Sequence, residues 1–113
     1  MIVTLPWPYK GLSPNDRMKF MAEARAVKAY RKDCAWLAIE AGARKAFLNS
    51  LAMKVTFSPP RAGFDKDNCI AAFKAGQDGL ADAIGAYDRL FGVTHEMAEP
   101  VKGGRVAVEL DDA

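Results

Sequence analysis

The chain has few cysteines and histidines, the residues that form disulfide frameworks and many metal centres. Among its 113 residues there are two cysteines, Cys34 and Cys69, and a single histidine, His95. Two cysteines without a C-x-x-C spacing are too few for a disulfide framework, a ferredoxin cluster or a zinc ribbon. We therefore expect both to be reduced thiols in a cytoplasmic protein.

Long apolar runs and glycine-rich phosphate loops are also missing. No apolar run approaches the roughly 20 residues that span a bilayer, so we expect no membrane segment. The opening residues MIVTLPWPYK lack a charged region followed by a long apolar stretch, so a signal peptide is not expected. Neither a dinucleotide-binding fingerprint nor a Walker-type loop occurs.

The composition that remains is that of one globular domain, which we assign to residues 1–113. Half of the residues are apolar and 27% are charged. Residues 1–74 carry 13 Lys and Arg against 6 acids, whereas residues 75–113 carry 3 against 8. This asymmetry is compatible with a basic surface for a polyanion, but charge alone favours the simpler interpretation, charges scattered over a solvated surface.

The spacing of apolar residues predicts six elements in the order β-α-β-α-β-β. Strands are predicted at 2–7, 52–58 and 90–97, and helices from Ser13 to about Gly42 and from about Asn68 to Ile84. A Gly-Gly hairpin turn in VKGGRVAVEL is predicted to lead into the last strand. The fold class is therefore α+β, a small mixed sheet packed with two helices, and DDA at 111–113 reads as a loose tail.

Each predicted helix has an apolar face. In the first helix the predicted packing positions are Met21, Ala24, Cys34, Leu37 and Ala41. In the second they are Ile70, Phe73, Leu80 and Ile84. Gly76 and Gly79 would permit another backbone to approach the second helix closely.

The stretch GFDKDNCIAAFKAG places two acids, Asp65 and Asp67, at the entry to the second helix. If this stretch is extended, residues two apart point to the same side, so the two carboxylates converge while Lys66 points away. Converging carboxylates suit Mg²⁺ or Mn²⁺. Lys74 lies two helical turns later and could reach the site, and Asp88 could return as a third carboxylate.

Each of these residues also has a simpler interpretation. Asp67 could be only the N-cap of the second helix. Lys74 could form a surface ion pair with Asp78 four residues on. His95 falls on the apolar side of its strand, which favours a hydrogen-bonded packing residue over a catalytic base.

Several segments, in order, resemble one family. LPWP, GLSPNDR, FDKDNCIAAFKAGQDGLADAIG and EPVKGGRVAVEL are similar to segments of the RusA family of Holliday junction resolvases, in its phage and prophage forms. The resemblance covers about residues 3–110. It implies a Mg²⁺-dependent endonuclease, with Mn²⁺ as a possible substitute, that acts as a homodimer and cuts four-way or branched DNA junctions.

The resemblance also assigns roles to residues. Asp65 and Asp67 match the acids of the family's D-x-D-N element, Asp88 matches the second acid of its later Asp-Asp pair, and Lys74 is the match for its catalytic lysine. Tyr87 stands where the family usually has the first acid of that pair, so Asp88 would carry the role alone. Predicted DNA contacts are Lys10, Asn15, Arg17, Lys19, Arg25, Lys28, Lys32, Arg61 and Lys66.

Two rival functions remain open from the sequence. The first is a branched-DNA-binding protein without cleavage activity, for which Tyr87 would be the mark of a lost active site. The second is a structural phage protein whose basic helix contacts an acidic protein rather than DNA. Cleavage on adding Mg²⁺ and DNA binding at low salt separate these possibilities.

Overall fold

The computed structural model describes residues 1–8, 20–43, 51–85 and 91–112. Six elements lie in these ranges: β1 (Ile2–Pro6), α1 (Phe20–Glu40), β2 (Leu51–Ser58), α2 (Lys66–Ile84), β3 (Phe91–Met97) and β4 (Arg105–Asp112). Their order and type confirm the predicted α+β fold. The predicted start of the first helix at Ser13 lies outside the described residues.

The four strands form one mixed sheet in the order β1-β4-β2-β3. β4 runs antiparallel to both of its neighbours, with Val108 opposite Val3 of β1 and Val55 of β2. β3 runs parallel to β2, with His95 opposite Val55. The parallel pair is expected from the chain order, because two parallel strands need a crossover such as α2 between them.

One face of the sheet carries the core. Alternate residues of three strands are buried there: Val3, Leu5, Met53, Val55, Phe57, Val106, Val108 and Leu110. Tyr30 of α1 and Phe73 and Leu80 of α2 complete this core, so both helices cover the same face. The alternation of β1 and β2 is as predicted, since side chains in a strand point to opposite faces in turn.

The two helices approach closely at the glycines of α2. A Cβ at Gly79 would lie against the backbone carbonyl oxygen of Arg31 and 3.1 Å from the amide nitrogen of Ala35. Arg31 also donates two hydrogen bonds to Asp82, at 2.6 and 2.8 Å. The predicted approach of another backbone is therefore confirmed for Gly79. A Cβ at Gly76 would instead meet the rings of Phe73 and Tyr30, so this glycine makes room for side chains.

The buried face of α1 differs from the prediction. Of the predicted positions, Cys34 is fully buried and Leu37 packs half-buried against the core, which confirms these two. Met21, Ala24 and Ala41 are exposed, and Tyr30 and Ala38 are fully buried in their place. The reason is that α2 and β1 meet the side of α1 that carries Tyr30, whose hydroxyl donates to the Pro6 carbonyl at 2.7 Å. Because Tyr30 carries a polar hydroxyl, a search for purely apolar positions did not include it.

The predicted Gly-Gly hairpin is wrong. Gly103 and Gly104 do form a turn, with φ of 79° and 70°, but β3 and β4 are not neighbours in the sheet. The segment between them crosses the end of β2, where Ala98 donates to Phe57 and Val101 to Pro59. β4 then pairs on the far side of β2, because α2 has already placed β3 parallel to β2.

The predicted loose tail is also corrected. Asp111 and Asp112 belong to β4 and lie opposite Ala52 and Leu51 of β2. Strand pairing at the start of β2 supplies the backbone partners that an isolated acidic tail would lack. Among the described residues, no helix is long and apolar enough to cross a bilayer.

Candidate functional site

The first predicted acid lies where the loop after β2 enters α2. Asp65 is the N-cap residue, with an extended backbone (φ −84°, ψ 133°), and its carbonyl accepts from the Cys69 amide at 3.0 Å. Its side chain makes no capping hydrogen bond. An Asp at this position ordinarily uses its carboxylate to cap the helix, so this carboxylate remains available to another partner.

The second acid, Asp67, lies in the first turn of the helix and is exposed. The helix begins at Lys66 rather than near Asn68, so Asp65 and Asp67 do not lie on one extended stretch, and the convergence predicted on that basis is wrong. Both carboxylates instead lie at the positive end of the α2 dipole, which stabilises negative charge. The alternative that Asp67 is the N-cap is wrong by two residues.

The predicted third acid, Asp88, and its neighbour Tyr87 lie outside the described residues. Within the described ranges, no group of three His, Cys, Asp or Glu side chains is arranged to hold a metal ion. A three-carboxylate site at the start of α2 therefore requires a contribution from the segment after Gly85.

Lys74 forms the local contact that was the alternative to a catalytic role. Its ammonium donates to the Asp78 carboxylate at 3.0 Å, one turn further along α2, and its side chain is exposed. Such an exposed i,i+4 pair contributes only about 0.3–0.5 kcal/mol to stability. The pair places the Lys74 charge beside Asp78 in this structure.

The loop that carries Asp65 is fixed by aromatic contacts. The Arg61 guanidinium lies 5.3 Å from the centre of the Phe64 ring. Phe64 in turn packs edge-to-face on Trp7, with ring centres 5.4 Å apart. A Cβ at Gly104 would lie 2.9 Å from the Trp7 ring, so this glycine allows the indole to lie under the loop. Arg61 is exposed, and in the sequence it precedes the predicted acids Asp65 and Asp67 by a few residues.

Sequence reasoning treated His95 as a packing residue and missed its position near α2. Its ring stacks parallel to the Phe57 ring, with centres 6.0 Å apart. Burial, and then the charge of Lys66, lower the pKa of His95. Its Nε2 is buried and has no hydrogen-bond partner among the described residues. The packing is confirmed, whereas the predicted hydrogen bond is not made by Nε2 to any described residue. The sequence signal that could have located His95 is the helix between β2 and β3, which predicts that these two strands pair in parallel.

The two thiols are buried and free. Burial raises the pKa of Cys69, and the Asp65 carboxylate raises it further. Burial likewise raises the pKa of Cys34 to about 12. Neither thiol is a nucleophile, because a buried thiol with a raised pKa holds its proton at neutral pH.

The predicted DNA contacts divide into two described groups and one undescribed group. Arg25, Lys28 and Lys32 lie exposed on α1, and Arg61 and Lys66 are exposed and flank Asp65 in the sequence. The remaining positions, Lys10, Asn15, Arg17 and Lys19, lie outside the described residues.

Comparison with known proteins finds a relative that carries no functional name. No family model matches the chain. A protein of Xylella fastidiosa, named only as uncharacterized, is 42% identical over 101 residues, which cover 86% of this chain. The chain spans 65% of the length of that relative. Since the relative carries no functional name, the RusA resemblance stays a prediction.

Proposed function

We propose that this protein is a divalent-metal-dependent endodeoxyribonuclease that cuts four-way or branched DNA by phosphodiester hydrolysis. The RusA resemblance motivates the proposal, and the free carboxylate of Asp65 is the observation that supports it best. A helix N-cap Asp that makes no capping bond retains its full capacity as a ligand. Among the described residues, neither Asp65 nor Asp67 forms an ion pair.

The donor chemistry fits the ion that the resemblance implies. Mg²⁺ is usually held by one or two carboxylates, with water and substrate phosphate oxygens completing the shell. In this proposal Asp65 and Asp67, two exposed acids at the start of α2, would supply such a pair, and Asp88 would supply a third carboxylate from the segment after Gly85. When bound, Mg²⁺ acidifies a coordinated water and neutralises charge on the phosphate under attack.

The chain's own cations would hold the DNA at this site. Arg61 and Lys66 are exposed on either side of Asp65 in the sequence, where they can contact phosphates that flank the scissile bond. These contacts are insensitive to base sequence and weaken with salt. Assembly as a homodimer belongs to the same proposal, because two symmetric cuts in a junction need two sites related by a two-fold axis.

One observation favours the alternative, a branched-DNA-binding protein that does not cleave. Lys74 is paired with Asp78 rather than directed to the acids, so the lysine assigned to catalysis is engaged elsewhere in this structure. A functional nuclease would then have to break this exposed pair when DNA binds, which costs only a few tenths of a kcal/mol.

The test is cleavage of a synthetic four-way junction, labelled on each strand, by the purified chain in EDTA, Mg²⁺ or Mn²⁺. Asp65→Asn and Asp67→Asn should each lower the Mg²⁺-dependent rate by about a hundredfold or more. Junction binding in EDTA should be retained or improved, since a negative charge near phosphate is removed. Glu109→Gln, an exposed acid on the sheet face opposite the helices, is the matched control.

The outcomes separate the two functions. Full cleavage by either Asn variant contradicts the metal assignment. Junction binding without any product in Mg²⁺ or Mn²⁺ supports the non-cleaving alternative. Lys74→Ala, assayed in parallel, decides whether the lysine acts in catalysis or only pairs with Asp78.

A further inference from the structure

α1 presents a second surface that the metal site does not use. Its outer face carries six exposed residues at spacings of four, three, four, four and three: Met21, Arg25, Lys28, Lys32, Trp36 and Ile39. These spacings place all six in one row, because a helix turns once every 3.6 residues. We call this row the α1 outer face.

The α1 outer face is purely cationic in its middle section. Arg25, Lys28 and Lys32 follow one another at one-turn intervals, and none forms an ion pair with a described residue. No acid occurs in the row. Asp33, next to Lys32 in the chain, is partly buried and lies about 100° around the helix from it. The three cations therefore create a positive stripe along the exposed side of α1.

An exposed tryptophan ends this stripe. The Trp36 side chain is 61% exposed, and it borders an apolar groove of about 470 Å³ that is also lined by Pro6, Ala35 and Ile39. Lys32 and Asp33 form polar edges of the groove. The α1 outer face thus offers a flat aromatic surface one helical turn, about 6 Å, from a lysine.

Charge decides which partner fits this face. Two copies of the chain packed symmetrically through it would bring two sets of three cations together, which is unfavourable. A polyanion that also carries flat apolar groups can bind both the three cations and the exposed indole of Trp36. Nucleic acid has this chemistry, but the bases of an intact duplex are stacked inside and do not reach a protruding indole.

We propose that the α1 outer face binds an unpaired stretch of DNA, with phosphates on Arg25, Lys28 and Lys32 and a base stacked on Trp36. Base–aromatic stacking combined with a cationic track is the usual means of holding single strands. The inference rests on the proposed function and deepens it, since base pairs at the centre of an open junction lack a stacking neighbour and therefore open more readily than those inside a duplex. It assigns Trp36 a binding role that no other feature of the fold explains.

The experiment measures binding in EDTA to three DNAs of equal length: a single strand, a four-way junction and a blunt duplex. Trp36→Ala should weaken single-strand binding by about tenfold, and Trp36→Phe should restore most of it. Duplex affinity should change by less than twofold in both variants. Trp36 fluorescence should be quenched by the single strand, and this quenching should be absent from Trp36→Phe.

Charge variants test the other half of the face. Lys28→Ala and Lys32→Ala should weaken binding to all three DNAs, and each should reduce the salt slope on the single strand by about 0.7. Lys54→Ala is the matched control, because Lys54 lies on the sheet face away from the helices and pairs there with Glu96. It should change neither affinity nor slope.

Several results would overturn the inference. Equal losses on duplex and single strand in Trp36→Ala would mean that no base is stacked. Conversion of a dimer to a monomer by Trp36→Ala in sedimentation would assign the face to a second copy. If Trp36→Ala lost binding to an acidic peptide but kept its binding to DNA, the α1 outer face would be assigned to a protein partner.

Failure of the nuclease proposal would look different. In that case no cut product forms in Mg²⁺ or Mn²⁺, while Trp36-dependent binding to the single strand in EDTA persists and supports the inference. Absence of DNA binding at about 50 mM salt would contradict both, since electrostatic binding is strong there.

Discussion

At the scale of the residue, His95 combines an apolar location with a titratable group. It is the single histidine of the chain, lies against the Phe57 ring and has a buried Nε2 without a described partner. Charging this ring would bury a cation close to Lys66, so the folded state favours the neutral imidazole.

The pH dependence of His95 follows from this. Its pKa in the folded protein should lie below 6.5, owing to burial and the Lys66 charge. As pH falls below 6.5, the unfolded chain binds the proton first, so the free energy of unfolding should decrease until the folded pKa is passed. NMR of the imidazole, with urea denaturation at pH 7 and 5.5, measures both effects.

The control for this prediction is His95→Phe, which should remove the decrease between pH 7 and 5.5 while preserving the contact with Phe57. A folded-state pKa of 6.5 or above would contradict the assignment of burial as the dominant cause.

At the scale of the element, the contact between α1 and α2 depends on glycine. Gly79 has no side chain at the point where the α1 backbone crosses, and Arg31 and Asp82 pair across the same contact. The arginine holds the pKa of the Asp82 carboxyl below its usual value by hydrogen bonding and charge. Both groups are half-exposed, so most of the energy of this contact comes from packing.

Gly79→Ala should therefore destabilise the protein. Alanine gains up to about 1 kcal/mol over glycine in helix propensity, but its Cβ would overlap backbone atoms of Arg31 and Ala35, which cannot rotate away. We expect a net loss of about 1–3 kcal/mol in the free energy of unfolding, measured by urea denaturation.

Gly92→Ala provides the comparison for Gly79→Ala. Gly92 lies in β3 with nothing within 4 Å of an added Cβ, so its substitution should change stability by less than about 0.5 kcal/mol. A Gly79→Ala protein as stable as the parent would show that the helices separate more easily than the contact implies.

At the scale of the whole molecule, the reactivity of the two buried thiols reports whether the domain is folded. Cys34 is 0% exposed and Cys69 3% exposed, and they lie on different helices that meet over one core. A reagent can reach them together only when the domain opens.

In the folded protein at pH 8, a thiol-specific reagent should therefore modify Cys34 at least about a thousandfold more slowly than in urea. Its pKa near 12 leaves almost no thiolate, in addition to the steric protection. Mass spectrometry across a urea series measures the modification. Cys69→Ala isolates Cys34, and rapid labelling of this variant without urea would contradict the prediction.

Charge at this scale also differs from its distribution along the chain. Among the described residues, ion pairs join the basic part of the chain, residues 1–74, to the acidic part, residues 75–113. Arg31 pairs with Asp82 and Lys54 with Glu96, each joining one part to the other. The cations that remain unpaired among the described residues include the stripe on α1.

Local patterns in the sequence determined the elements of this protein. Alternation along β1 and β2 placed Val3, Leu5 and Phe57 in the core, and the glycines of α2 marked the close helix contact. These features depend on side chains a few residues apart, which strand and helix periodicity relate directly. The acids Asp65 and Asp67 were likewise found from their spacing.

Tertiary structure decided what depends on residues far apart in the chain. The insertion of β4 beside β2 excluded the hairpin, and the position of α2 selected Tyr30 rather than Met21 for burial. It also brought Lys66 near His95, and left Trp36 and three cations exposed in one row. Periodicity defines the possible faces of an element, but only its neighbours determine which face they cover.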